Sequence, residues 1–150
     1  AELQELAARL SVGRLHWTGF RTDTLDLMRS FDVFVLPSRH EGTPMALLEA
    51  MGLGRAVAAT AVGGVPEVIT DGIDGRLAPA ADVEALAAVI LELLENPDAR
   101  RRLGEAARRT VRCRFSLELS AEQTAVLYRE LARPVGRGGT LDDEIHPEPR

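Results

Sequence analysis

Two glutamates, Glu41 and Glu49, stand eight positions apart in the run D-V-F-V-L-P-S-R-H-E-G-T-P-M-A-L-L-E of residues 32–49. An ionised carboxylate accepts two hydroxyl hydrogen bonds, the natural grip on a vicinal diol. Between the two acids, Gly42, Thr43 and Pro44 lead into a helical run, so the N–H groups of Met45 and Ala46 should point outward along its axis. A diphosphate placed there gains about 0.3–1 kcal/mol from the helix dipole, and ~2 kcal/mol if partly buried. With Glu41 before the helix and Glu49 about five residues into it, roughly 7–8 Å of rise separates Glu49 from the helix start. The set suits a nucleotide-sugar, with one carboxylate for ribose hydroxyls and one for sugar hydroxyls.

These residues need a scaffold that ends a strand and starts a helix at one point. Residues 33–36 are apolar at every position, which fits a parallel strand covered on both faces. Ligands of open α/β sheets bind beyond the carboxyl ends of such strands. The next helix has Thr43 as N-cap and Pro44 at its first position, where a missing N–H costs nothing, and runs to about Gly52. An arbitrary pair of glutamates is more often a loop acid and an exposed helix residue. Here Glu49 precedes Ala50, Met51 and Gly52, which are packing residues, and Glu41 follows the most buried-looking strand.

The remaining pattern alternates strands and helices. Leu3, Leu6, Ala7 and Leu10 form a helical stripe. Residues 14–18 read as a short strand stopped by Gly19, and residues 24–30 as a short helix. Strands follow at 56–59 and 76–78. Gly63 and Gly64 read more as a plain turn than as a ligand-approach loop, and D-G-I-D-G at 71–75 as a hairpin turn, since it lacks the alternating ligands and closing glutamate of a calcium loop. Asp82 caps a helix with Val83, Leu86, Ala87, Ile90, Leu93 and Leu94 on one side. Asn96-Pro97 starts another helix, and Ser116 opens a last one with Leu117, Ala121, Ala125, Tyr128 and Leu131 in line. This is an α/β fold, a Rossmann-like parallel sheet flanked by helices. From Pro134 onward there is little to bury, so residues 134–150 read as a disordered tail.

Composition narrows the function classes. All 18 basic residues are arginine, which removes a Schiff-base lysine and a phosphate-loop lysine. A net charge of −5 argues against general nucleic-acid affinity. Cys113 is the single cysteine, so the chain has no internal disulfide, and a reducing, cytoplasmic home is the default. His16 alternates with core residues and reads as structural, Cys113 as a packed small residue, and His40 borders Glu41.

E-G-T-P-M-A-L-L-E-A-M is similar to the E-x7-E element of the retaining group 1 (family 4) glycosyltransferases of GT-B architecture. The resemblance extends from about Leu10 to Arg133 through G-F-R-T-D, D-V-F-V-L-P-S, V-G-G-V-P-E-V-I, D-G-I-D-G-R-L and L-Y-R-E-L, in that order. It implies that Glu41 contacts the transferred sugar and stabilises charge at its anomeric carbon, as the catalytic residue, and that Glu49 holds the ribose. It further places the backbone of Gly42, Thr43, Pro44, Met45 and Ala46 around sugar and diphosphate, Phe20 and Arg21 near the base, and Ser38 on the cleft floor, with His40 beside them. Gly52 and Ala56 depart from the alanine and proline common there, which bears on stability more than on chemistry.

The implied activity is hexosyl transfer from a nucleotide-diphosphate sugar. The alternatives are a GT-B-type nucleotide-sugar epimerase and a non-catalytic nucleotide-sugar-binding module. No Asp-x-Asp occurs, so no metal is expected, and arginine and helix dipoles can serve the diphosphate. Residues 1–133 would be an incomplete, N-terminally truncated C-terminal domain, the C-terminal half of a GT-B enzyme. An N-terminal domain would bind the acceptor, a sugar or a lipid-linked one. Strand 14–18 would then lack a neighbour and strand 33–36 would have an open edge, an aggregation hazard. Arg100, Arg101, Arg102, Arg108, Arg109 and Arg112 read as a solvated helical face, or as peripheral contact with anionic lipid at the inner face of the membrane.

Overall fold

The computed structural model describes residues 2–132, and the tail at 134–150, with His146, lies outside them. Its elements are α1 (Glu2–Arg9), α2 (Thr24–Arg29), β1 (Val33–Leu36), α3 (Met45–Gly52), β2 (Ala56–Thr60), α4 (Val65–Val68), β3 (Arg76–Ala78), α5 (Val83–Glu95), α6 (Pro97–Arg114) and α7 (Leu117–Leu131). The three strands form one parallel sheet in the order β1-β2-β3, with Val33 opposite Ala56 and Ala58 opposite Arg76.

Small side chains decide how this sheet packs. β2 reads A-V-A-A-T, is buried at every position, and alternates its side chains between two helical layers. Val57 and Ala59 meet Leu47, Ala50 and Met51 of α3 and Ala107 of α6, whereas Ala58 on the other face meets Val89 and Leu93 of α5 and Leu103 of α6. Leu47, Met51, Leu93 and Leu103 are fully buried, each contributing about 1.5–3 kcal/mol. β2, not β1, is therefore the most buried strand. β1 is half-buried at all four positions, because its far side carries no ladder among the described residues.

Local chemistry sets the helix boundaries. The side chains of Asp82, Asn96 and Ser116 accept from the N–H groups of Ala85, Ala99 and Leu119, as N-caps should. α3 starts one residue later than expected. Pro44 is extended and its carbonyl takes the first helical bonds from Leu47 and Leu48 at 3.1 and 3.2 Å, so Pro44 is the N-cap and Thr43 makes no capping bond.

Several expectations fail for one reason, the need for a partner surface. Residues 14–18 form no strand and are exposed, because no described strand offers them a ladder. The α1 and α7 stripes bury nothing among the described residues. On α5 the buried side is Val89 and Leu93 with Leu86 and Ile90 half-buried, while Val83, Ala87 and Leu94 are exposed, so the stripe is narrower than expected. His16 and Cys113 are exposed rather than packed.

The turn at 71–75 joins α4 to β3, and its aspartates hold the fold together. Asp74 is buried and accepts from the N–H of Thr70 at 2.7 Å and from the hydroxyl of Thr110 at 2.7 Å. Asp71 accepts from the N–H of Leu77 at 2.9 Å and from Arg76 at 3.0 Å. Partial burial works against the charge on Arg76, but its hydrogen bonds to Asp71 and Glu92 outweigh this and raise its pKa above the ordinary value.

Candidate active site

β1 and β2 end side by side, and their ends are tied together. The hydroxyl of Thr60, at the last position of β2, donates to the carbonyl of Ser38 at 2.5 Å and lies 3.4 Å from that of Leu36. The hydroxyl of Ser38 in turn donates to Oε1 of Glu41 at 2.5 Å. Glu41 is half-buried, so this bond fixes a carboxylate in a partly desolvated place. The loop after β2 presses on the same segment. A Cβ on Gly63 would sit 1.8 Å from the carbonyl oxygen of Glu41, and one on Gly64 would sit 2.5 Å from that of Gly42. The two glycines thus form a turn, as expected, and that turn is packed directly against the Glu41 loop.

Beyond the loop, buried Pro44 introduces α3. The N–H groups of Met45 and Ala46 have no hydrogen-bond partner among the described residues. Glu49 lies one turn beyond Met45 on the same exposed side, also without a partner among them, while Leu47, Ala50 and Met51 turn inward. One half-buried carboxylate, two free N–H groups and one exposed carboxylate therefore follow one another from loop to helix. This arrangement can grip hydroxyls at either end and an anion between them.

The other expected residues fall around this line. Gly42, Thr43 and His40 are exposed on the loop. Phe20 is 95% exposed. Arg21 is committed to Asp23, with Nε donating at 2.8 Å and a second, shorter bond from Nη2. No hydrogen bond joins Phe20 or Arg21 to the Glu41 loop among the described residues. Sequence reasoning missed Thr60 as an anchor. The signal available was a lone hydroxyl closing a strand of small apolar residues, followed three positions later by Gly63-Gly64. Among the described residues, no three His, Cys, Asp or Glu side chains gather as a metal site would need.

Comparison with known proteins places this geometry. Residues 1–96 match the family described as glycosyl transferases group 1. The chain belongs to that family. It is 36% identical over 129 residues to the D-inositol 3-phosphate glycosyltransferase of Streptomyces coelicolor, covering 84% of this chain and 28% of the relative. Sucrose-phosphate synthase from Thermosynechococcus elongatus superposes with a TM-score of 0.80 at 33% identity, over 87% of this chain and 33% of that one. Anabaena HepE in complex with UDP-glucose superposes with a TM-score of 0.82 at 27% identity, over 86% of this chain and 36% of that one. The fold is that of the GT-B glycosyltransferases. The chain spans about a third of the length of these relatives.

Proposed function

We propose that this chain is the nucleotide-sugar-binding part of a retaining glycosyltransferase that moves a hexosyl group to an acceptor bound by a further domain. The observation that carries the reading is Glu41 held by Ser38 beside the free N–H groups of Met45 and Ala46. In this reading Glu41 bonds hydroxyls of the transferred sugar and offsets the positive charge that grows at its anomeric carbon. The N–H groups of Met45 and Ala46 take the diphosphate, supported by arginine and without a metal ion, and Glu49 takes the ribose hydroxyls. Ser38 and Thr60 keep Glu41 in place, Gly42, Thr43 and Pro44 shape the floor with His40 at its rim, and Phe20 and Arg21 border the base. The complex of HepE with UDP-glucose supports a nucleotide-sugar donor. Residues 1–133 then belong to the C-terminal domain of the GT-B pair.

The arginines of α6 support contact with an anionic membrane surface, and hence a lipid-linked acceptor. Arg101, Arg102, Arg108, Arg109 and Arg112 are exposed, whereas Arg100 is half-buried and donates to the carbonyls of Leu93 and Leu94 at 2.6 and 2.7 Å. Among the described residues, no helix is long and apolar enough to cross a membrane.

The test is turnover of UDP-, GDP- and ADP-sugars by the full-length protein and its Glu41→Ala variant. Losing one charge-assisted bond of about 1.5–3 kcal/mol should cost roughly 10–150-fold in kcat for the one donor used. Near-normal turnover by Glu41→Ala removes this residue from the chemistry, and no turnover with any donor rejects the enzymatic reading.

A further inference from the structure

At the opposite end of the sheet from Glu41, where β1 and β2 begin, a hollow of about 400 Å³ opens between the turn at 53–55 and α6. Four arginines line it, Arg55, Arg100, Arg101 and Arg108, against two acids, Asp32 and Glu105. Four positive less two negative charges leave a formal excess of two. Gly104 sets how closely α6 approaches the turn beside the hollow, because a Cβ there would lie 2.2 Å from the carbonyl oxygen of Gly54 and would push α6 away.

The four arginines are not equally occupied. Arg100 serves the carbonyls of Leu93 and Leu94 and lies 3.9 Å from Asp32, and Arg101 pairs with Asp98. Arg55 is different. Its Nη1 donates to the carbonyls of Arg29 and Phe31 at 3.1 and 3.2 Å, which fixes the guanidinium, while its Nε is buried without a partner among the described residues. Arg108 has no hydrogen bond or ion pair among them. A buried donor left unmade is costly, and an immobilised guanidinium loses little further freedom when it binds. Pro97, at the first turn of α6, also lines the hollow, so the positive end of an 18-residue helix adds to the field. Guanidinium forks match phosphate oxygens in pairs.

We propose that this hollow binds a phosphate group through Arg55 and Arg108, as a second anion site separate from the Glu41 site and independent of what binds there. The phosphate belongs either to a soluble phosphorylated small molecule or to a lipid headgroup. The test follows backbone amides of the full-length protein by NMR during titration with pyrophosphate. The shifts of Gly54 and Glu105 are expected to saturate, and Arg108→Ala to weaken that saturation by about tenfold or more, one charge-assisted bond. Shifts confined to Met45 and Ala46, or equal affinity in Arg108→Ala and the parent, overturn the proposal. Arg55→Lys, which keeps the charge but loses the fork, should weaken binding too. A second arm sediments the protein with phosphatidylglycerol vesicles. Co-sedimentation that Arg108→Ala loses assigns the site to a lipid headgroup, and pyrophosphate binding without co-sedimentation assigns it to a soluble ligand.

Discussion

Glu41 is held by its neighbours, and that restraint is what turns a loop acid into a candidate catalytic group. Ser38 donates to it, Thr60 holds Ser38, and both hydroxyls sit at the ends of adjacent strands. Glu49 has no such restraint among the described residues, which fits a group whose partner arrives with the ligand. Arg21 and Asp23 make the opposite case, an exposed pair already satisfied. The hydrogen bonds from Arg21 hold the Asp23 carboxyl below its ordinary pKa. A depressed carboxylate pKa contributes stability above the unfolded value and loses it as pH falls through the folded one. Carbon-detected NMR should show Asp23 titrating below the usual aspartate range and returning to it in Arg21→Ala; an unmoved value means that the pair does not persist in solution. Among residues, the spacing of Glu41 and Glu49 and the N–H groups of Met45 and Ala46 were legible because local chain chemistry sets them. Thr60 was not, because its partner Ser38 lies 22 positions away in the loop that follows β1.

The elements that build the site are two loops pressed together. Gly63 has φ +50 and no room for a Cβ, whereas Gly72 has φ +74 with open space around it. Replacing Gly72 by alanine therefore pays only the left-handed penalty of about 1–2 kcal/mol. Gly63→Ala pays that and must also move the Glu41 backbone, so its urea midpoint should fall clearly further and donor turnover should fall with it. Equal midpoints for the two variants would show that the loops are not in contact. Elements with their own caps were legible: Asp82, Asn96 and Ser116 each open the helix that they were expected to open. Elements that depend on a surface elsewhere were not, and the absent strand at 14–18 and the unburied side of α7 are the examples.

The whole molecule is a well-packed centre with unmatched margins. β2 and the inner sides of the helices on its two faces are buried, yet Leu3, Leu6, Leu10, Leu15, Trp17 and Phe20 are exposed, and β1 leaves one ladder open among the described residues. Apolar surface and an open strand edge together favour association. The 150-residue chain produced alone should self-associate in size-exclusion chromatography with light scattering; a monodisperse monomer that melts cooperatively would contradict this. The parallel α/β class was legible because alternation of strand and helix is a property of the pattern, whereas the extent of burial depends on what lies against each face. The central claim is that one cleft divides a nucleotide-sugar between its two glutamates. Calorimetric titration of the full-length protein with a nucleoside diphosphate and with the matching nucleotide-sugar tests it most directly. Glu49→Ala should weaken both ligands by about tenfold or more, the worth of one charge-assisted bond, whereas Glu41→Ala should leave the diphosphate unchanged and weaken only the sugar form. Equal affinities for both ligands in both variants would contradict the account.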